Sequence, residues 1–169
     1  MQLIEGETTF ILFQMSNETF SSVECLDLLV SNGANFHLTD NIGRLPLHYA
    51  ASQGHYQCVF TLVGIGSLTN SVDMEGCTPL HLASGYDTEG KCIEYLLQHK
   101  ADPFVKDRRG FTPLHYAMAG GNIAGVSRLL GVIENSTLFQ QADMPDVTPL
   151  HLAVSWDRRH ILFTLCAFS

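Results

Sequence analysis

The sequence predicts an all-α solenoid: stacked helix-turn-helix units joined by β-hairpin-like finger loops. Two observations carry that reading. First, one phrase recurs. Gly76-Cys77-Thr78-Pro79-Leu80-His81-Leu82-Ala83 is followed by Gly110-Phe111-Thr112-Pro113-Leu114-His115-Tyr116-Ala117 and by Val147-Thr148-Pro149-Leu150-His151-Leu152-Ala153. A variant, Gly43-Arg44-Leu45-Pro46-Leu47-His48-Tyr49-Ala50, precedes them. Second, Pro46, Pro79, Pro113 and Pro149 fall 33, 34 and 36 residues apart. A near-fixed period of this size marks a repeat array, in which each unit buries its apolar face against its neighbours.

Each position in the phrase has a physical duty. Thr78, Thr112 and Thr148 offer a hydroxyl that can cap a helix start by accepting from an orphan backbone N–H. Pro46, Pro79, Pro113 and Pro149 then sit at N1, where the missing N–H costs nothing and the fixed φ suits the helix. The Leu that follows and the Ala three residues on give a small apolar inner face. His48, His81, His115 and His151 could in principle be metal ligands, bases or structural hydrogen-bonders. Spaced one module apart they do not converge on a metal, and a partly buried ring needs partners for both nitrogens. The structural role is the reading adopted here. The phrase and its period resemble the ankyrin-repeat family, and the resemblance implies that each His bonds within its own turn and to the next repeat.

The units follow in order. Residues 1–22 are an atypical N-terminal segment, since Ile11-Leu12-Phe13-Gln14-Met15 lacks the capping chemistry where a first helix is due. Residues 23–39 are a partial repeat: Val23, Leu26, Leu29 and Val30 fall at helical spacing and Gly33 stops the helix. Complete repeats are expected over 40–72, 73–106 and 107–142, and a truncated one over 143–169. Asp40, Asp73 and Asp107 stand three residues before Gly43, Gly76 and Gly110, a pairing suited to the finger turn. Gly54-His55 is the tight inter-helix turn of the first complete repeat. In the second, Gly85-Tyr86-Asp87-Thr88-Glu89-Gly90 takes its place with one extra residue. The third uses Gly120-Gly121-Asn122, and in the fourth Asp146 replaces the finger glycine.

Composition narrows the function. The chain has 169 residues and a net charge of −8, which disfavours a phosphate-binding surface and so a nucleic-acid partner. It shows no 18-residue apolar stretch and no signal-peptide pattern. A cytoplasmic protein is expected, with the nucleus open as a second location, and no membrane partner. Five cysteines with no C-x-x-C pair fit neither a disulfide framework nor a zinc site. Cys25, Cys58 and Cys92 recur at the repeat period and read as small buried hydrophobes. No G-x-S-x-G, H-E-x-x-H or Walker-type loop is present, so no enzyme, cofactor, metal or small-molecule substrate is expected.

The idiosyncratic turns narrow the resemblance. Gly43 to Ala51 with Tyr56 to Gly64, and Gly76 to His81 with Asp87 to Leu97, are similar to the ankyrin repeat subunits that regulate serine/threonine-protein phosphatase 6. The similarity spans about Val23 to Leu165. It implies a binding scaffold whose partners are the catalytic and regulatory subunits of that phosphatase. Two alternatives stand beside it: an ankyrin adaptor for an unrelated partner, or a truncated fragment without independent function. Two ends without polar capping repeats, at Phe10 to Phe13 and at Ile161 to Phe168, are expected to fray and associate.

Candidate contacts are the positions without a structural duty. In the fingers these are Asn41, Ile42 and Arg44, then Met74, Glu75 and Cys77, then Arg108, Arg109 and Phe111, then Met144, Pro145 and Val147. Along the inner helices they are Ser52, Gln53, Tyr86, Ala119 and Trp156. Arg108, Arg109, Tyr86 and Trp156 are of the residue types enriched in interface hot spots. Each also has a plain structural reading: a solvated turn charge, or cover for a neighbouring repeat.

Overall fold

A computed structural model of the chain describes residues 22–134. Within them the helices are α1 (Ser22–Ser31), α2 (Pro46–Ser52), α3 (Tyr56–Gly64), α4 (Pro79–Tyr86), α5 (Lys91–Gln98), α6 (Pro113–Gly120) and α7 (Ile123–Glu134). No strand occurs among the described residues; the fingers are turns. Helices α2, α4 and α6 form one row, each packed on the next. Helices α1, α3, α5 and α7 form a second row in the same way. Each helix of the first row also packs on the helix that follows it. The stack is therefore linear, and each repeat finds its apolar partners in the repeats beside it.

The helix starts depart from the simple threonine cap. Thr78 is extended, with φ −89° and ψ 165°, and Pro79 follows at N1. His81 Nδ1 accepts from the Thr78 N–H at 3.1 Å and from the Thr78 hydroxyl at 2.9 Å. The Thr78 Oγ1 meets the His81 N–H only at 3.4 Å. Thr112 and His115 repeat the arrangement, at 3.1 and 2.8 Å. At α2 the cap residue is Leu45, which has no hydroxyl, yet His48 Nδ1 still accepts from its N–H at 3.1 Å. So the imidazole, more than the threonine, holds the helix start: it supplies the reciprocal acceptor that Glu or Gln supplies in a capping box.

Leu47, Leu80 and Leu114 of the inner row meet Cys58, Val59 and Leu62 of α3, Cys92, Ile93 and Leu96 of α5, and Val126 and Leu129 of α7 in one continuous core. Cys58 and Cys92 are buried there, and burial pushes the Cys92 thiol up to about 12. Both are free thiols, packed as small hydrophobes. Ala50, Ala83 and Ala117 are fully buried, which lets neighbouring inner helices approach closely. The approach is tightest between α4 and α6, where a Cβ on Gly120 would lie 2.5 Å from the Gly85 carbonyl oxygen.

The extra residue of the second repeat lengthens the connection between its helices, which is longer than in the repeats on either side. α4 runs on through Tyr86, and the connection is made by Asp87 to Gly90. Buried Asp87 caps α5 from below, its carboxylate accepting from the Cys92 N–H at 2.7 Å, the Ile93 N–H at 3.1 Å and the Gly90 N–H at 3.1 Å. Asn122 then ties this turn to the third repeat, donating through Nδ2 to the Ser84 and Asp87 carbonyls at 3.0 and 2.8 Å.

Candidate protein-binding surface

Each finger is built on one aspartate. Asp40 Oδ1 accepts from the N–H groups of Ile42 and Arg44 at 2.9 and 2.8 Å. Asp73 does the same for Glu75 and Cys77, at 2.9 Å each, and Asp107 for Arg109 and Phe111, at 2.9 and 2.8 Å. Gly43, Gly76 and Gly110 take φ of 77°, 79° and 85° to close the turn, a left-handed conformation that a side chain would strain. Adjacent fingers are joined in a constant register. The Met74 N–H donates to the Ile42 carbonyl, and the Arg108 N–H to the Glu75 carbonyl, both at 2.9 Å.

Side chains reinforce this row from behind. His48 Nε2 donates to the Cys77 carbonyl at 3.2 Å, and His81 Nε2 to the Phe111 carbonyl at 3.1 Å. Each ring thus binds its own helix start with one nitrogen and the next finger with the other. Burial, opposed only in part by those carbonyls, pushes both imidazoles below their usual pKa. With both nitrogens committed to backbone groups, neither ring is placed to act as a base.

The second oxygen of each finger aspartate takes a different partner. The Tyr49 hydroxyl donates to Asp40 Oδ2 at 2.6 Å, and the Tyr116 hydroxyl to Asp107 Oδ2 at 2.9 Å. At the equivalent place in the second repeat stands Leu82, and Arg44 of the preceding repeat donates through Nε to Asp73 Oδ2 at 3.0 Å instead. Burial counts against an ionised Asp40, yet the bonds from Tyr49, Arg44 and Ile42 hold its carboxyl below the usual range. Burial, followed by the bonds to Cys77 and Asp107, pushes the Tyr116 phenol up.

The candidate contacts therefore divide. Asn41, Ile42, Met74, Glu75, Arg108 and Arg109 are all exposed at the finger tips. Arg109 is also committed: its guanidinium donates to the Tyr116 hydroxyl at 2.9 Å, lies 3.5 Å from Asp107, and covers the Phe111 ring at 5.3 Å. Arg44 is half-buried on Asp73, and Phe111 is half-buried with its ring tilted on His115. Cys77 is buried, its Sγ 3.1 Å from the Tyr116 hydroxyl. Tyr86 is 65% exposed at the end of α4. Gln53 is exposed, and Ser52 and Ala119 are half-buried. Met144, Pro145, Val147 and Trp156, with the motif residues Thr148, Pro149 and His151, lie outside the described residues.

The sequence reading missed Tyr49, Tyr116, Asp87 and Asn122. The tyrosines left a signal, since Tyr alternates with Leu82 at the variable place after His. Asp87 and Asn122 left a weaker one, an Asp and an Asn just ahead of a helix start. The bonds from Asn122 to the Ser84 and Asp87 carbonyls left none, because those groups belong to another repeat.

No group of three or more His, Cys, Asp or Glu that could hold a metal occurs among the described residues. No helix among them is long and apolar enough to cross a membrane. A family profile described as ankyrin repeats (three copies) matches residues 12–107, 67–140 and 89–168. The chain is 32% identical over 154 residues to human Transient receptor potential cation channel subfamily A member 1, covering 88% of this chain and 13% of that protein. Inversin of Canis lupus familiaris is 33% identical over 135 residues, 79% of this chain and 12% of its own length. Rabankyrin-5 of Mus musculus is 33% identical over 133 residues, 78% of this chain and 11% of its own length. The chain thus spans a small fraction of these relatives. On its recurring motif, its stacked helix pairs and these matches, the chain belongs to the ankyrin-repeat family, whose repeats imply protein partners.

Proposed function

We propose that this chain is an interaction module that holds a protein partner along its finger row and works as part of a scaffold. The observation that carries the proposal is the division of labour within each finger. The aspartate, the glycine and the phrase histidine are consumed by backbone bonds. The two tip residues between them (Asn41 and Ile42, Met74 and Glu75, Arg108 and Arg109) face solvent in a repeated register. Such a row offers a partner a pre-ordered set of side chains, so little ordering entropy is lost on binding. Met144 and Trp156 extend the candidate surface into the fourth repeat. Repeat boundaries at 40–72, 73–106 and 107–142 belong to the same proposal.

The finer proposal is that the partners are phosphatase 6 subunits, and that the scaffold recruits substrate to that enzyme in the cytoplasm, or in cytoplasm and nucleus both. Support for it comes from the turn residues Asp87 to Leu97 and Gly43 to Ala51. The test is a pull-down with residues 1–169 as bait, probed for the catalytic and regulatory subunits of phosphatase 6. Recovery that is lost in a Met74→Ala, Glu75→Ala, Arg108→Ala variant of unchanged melting temperature supports both proposals. Recovery of neither subunit by a folded bait sinks the phosphatase reading and leaves the finger row to another partner.

A further inference from the structure

A second surface lies on the outer helices. Tyr56 and Phe60 stand one turn apart on α3. Tyr95 stands on α5, with His99 one turn on at its C-terminal end. Their rings form one cluster. Tyr56 meets Tyr95 edge-on at 5.9 Å, Phe60 lies 5.2 Å from Tyr95, and the His99 ring is 4.1 Å from Tyr95. His99 Nδ1 donates to the Tyr95 carbonyl at 2.8 Å, which fixes the imidazole on the tyrosine. Yet the cluster is not core. Phe60 is 48% exposed, His99 is exposed, and Tyr56 and Tyr95 are half-buried.

Exposed carboxylates flank these rings. Asp27 lies 33 residues before Phe60 and Glu94 lies 34 after it. The three occupy the same place on successive outer helices, and all three are exposed. Exposed Glu24 stands one turn before Asp27 on α1. Of the cations nearby, Lys91 pairs with Glu89 and Arg128 with Glu94, while exposed Lys100 follows His99 at the far end of the cluster. Glu24 and Asp27 on α1 are in no salt bridge among the described residues. The chain as a whole carries −8.

We infer that this outer face docks a basic segment of a partner protein, with its arginine side chains laid over the rings of Phe60, Tyr56 and Tyr95 and directed toward Asp27. An aromatic face is electronegative and attracts a guanidinium, and the carboxylates of Glu24 and Asp27 on α1 add to that attraction. An acidic segment would meet repulsion from both. An exposed aromatic cluster bounded by charged residues is the composition of a docking site. The surface is separate from the finger row, so the two are tested independently.

The experiment titrates two synthetic 12-residue peptides into the whole chain, one of arginine and leucine and one with glutamate replacing arginine, and follows binding by fluorescence anisotropy. The arginine peptide should bind, more weakly as salt rises, and the glutamate peptide should not. Phe60→Leu keeps apolar area but removes the ring face, and should weaken binding about three-fold or more without moving the melting temperature. Asp27→Asn should weaken it similarly, whereas Met74→Ala with Arg108→Ala should leave it unchanged. Four results would overturn the inference. They are equal binding of both peptides, binding of neither, indifference to Phe60→Leu and Asp27→Asn, and loss through the finger variant. So would sedimentation showing a dimer abolished by Phe60→Leu, which would make a second copy the occupant, or uptake of the chain by anionic vesicles.

Discussion

At the scale of single residues, the phrase histidine does more than its neighbours. His81 satisfies the Thr78 N–H with one nitrogen and the Phe111 carbonyl with the other. Replacing it by leucine leaves the buried Thr78 N–H without a partner, at about 1–3 kcal/mol, whereas the Phe111 carbonyl still accepts from the Asp107 N–H at 2.9 Å. We expect His81→Leu to lower the unfolding free energy by about 1–3 kcal/mol in urea titration; an unchanged or raised stability would contradict the assigned bonds. The same geometry sets a pH dependence. Nδ1 must accept, so the folded state holds neutral rings, and burial keeps His48 and His81 below the ordinary value of 6.5. The unfolded chain therefore binds more protons once the pH drops below about 6.5, and stability declines as the pH falls from there. The slope is at most about 1.4 kcal/mol per pH unit for each ring. Asp40, whose carboxyl is held below 3.8, contributes only in more acid solution. A urea midpoint that is flat between pH 7.5 and 5.5 would refute the neutral-ring assignment. One position runs the other way. Lys100 has φ 65° where the preceding repeats place Gly33 and Gly66. Lys100→Gly should raise the melting temperature, with a gain of up to about 1 kcal/mol.

At the scale of elements, the contact between α4 and α6 is the tightest place in the stack. Its closeness depends on glycine at 120, because a methyl group there would press on the backbone at Gly85. Backbone cannot swing aside as a flexible side chain can. Gly120→Ala should therefore destabilise by about 1–3 kcal/mol, as overpacking does, although alanine favours helix on its own. A stabilised variant by thermal melting would show that the two helices can part freely. The connection from α4 to α5 has its own lock. Asp87 caps α5 while Asn122 holds the Ser84 and Asp87 carbonyls from the next repeat, so this irregular turn is held as firmly as the regular glycine turns.

At the scale of the whole molecule, the linear stack fixes how energies combine. Leu80 and Leu114 lie on helices that pack together, whereas Leu47 and Leu114 lie two repeats apart. Each Leu→Ala change should cost about 2–5 kcal/mol. The double variant at 47 and 114 should be additive within about 0.5 kcal/mol, and the pair at 80 and 114 should deviate by more. Double-mutant cycles read from urea curves decide this, and equal coupling for both pairs would argue against a nearest-neighbour array. The exposed features also separate at this scale: finger tips on the turns and the ring cluster of Tyr56, Phe60 and Tyr95 on α3 and α5.

The sequence by itself determined the repeat, its period and the helix starts, because proline, leucine and glycine act on their own backbone or on residues a few places away. Finger tips were legible for the same reason: Asn41, Met74 and Arg108 follow an aspartate whose bonds are local. What only the tertiary structure decided is which side chains cross between repeats. Arg44 reads as a free finger cation until Leu82 leaves Asp73 without a tyrosine, a vacancy 38 residues down the chain. The His81 bond to Phe111, the Asn122 bridge and the gathering of Phe60 with Tyr95 are likewise set by stacking. Their partners lie 30 or more residues away, and local periodicity has no term for a neighbour that only the assembled array supplies.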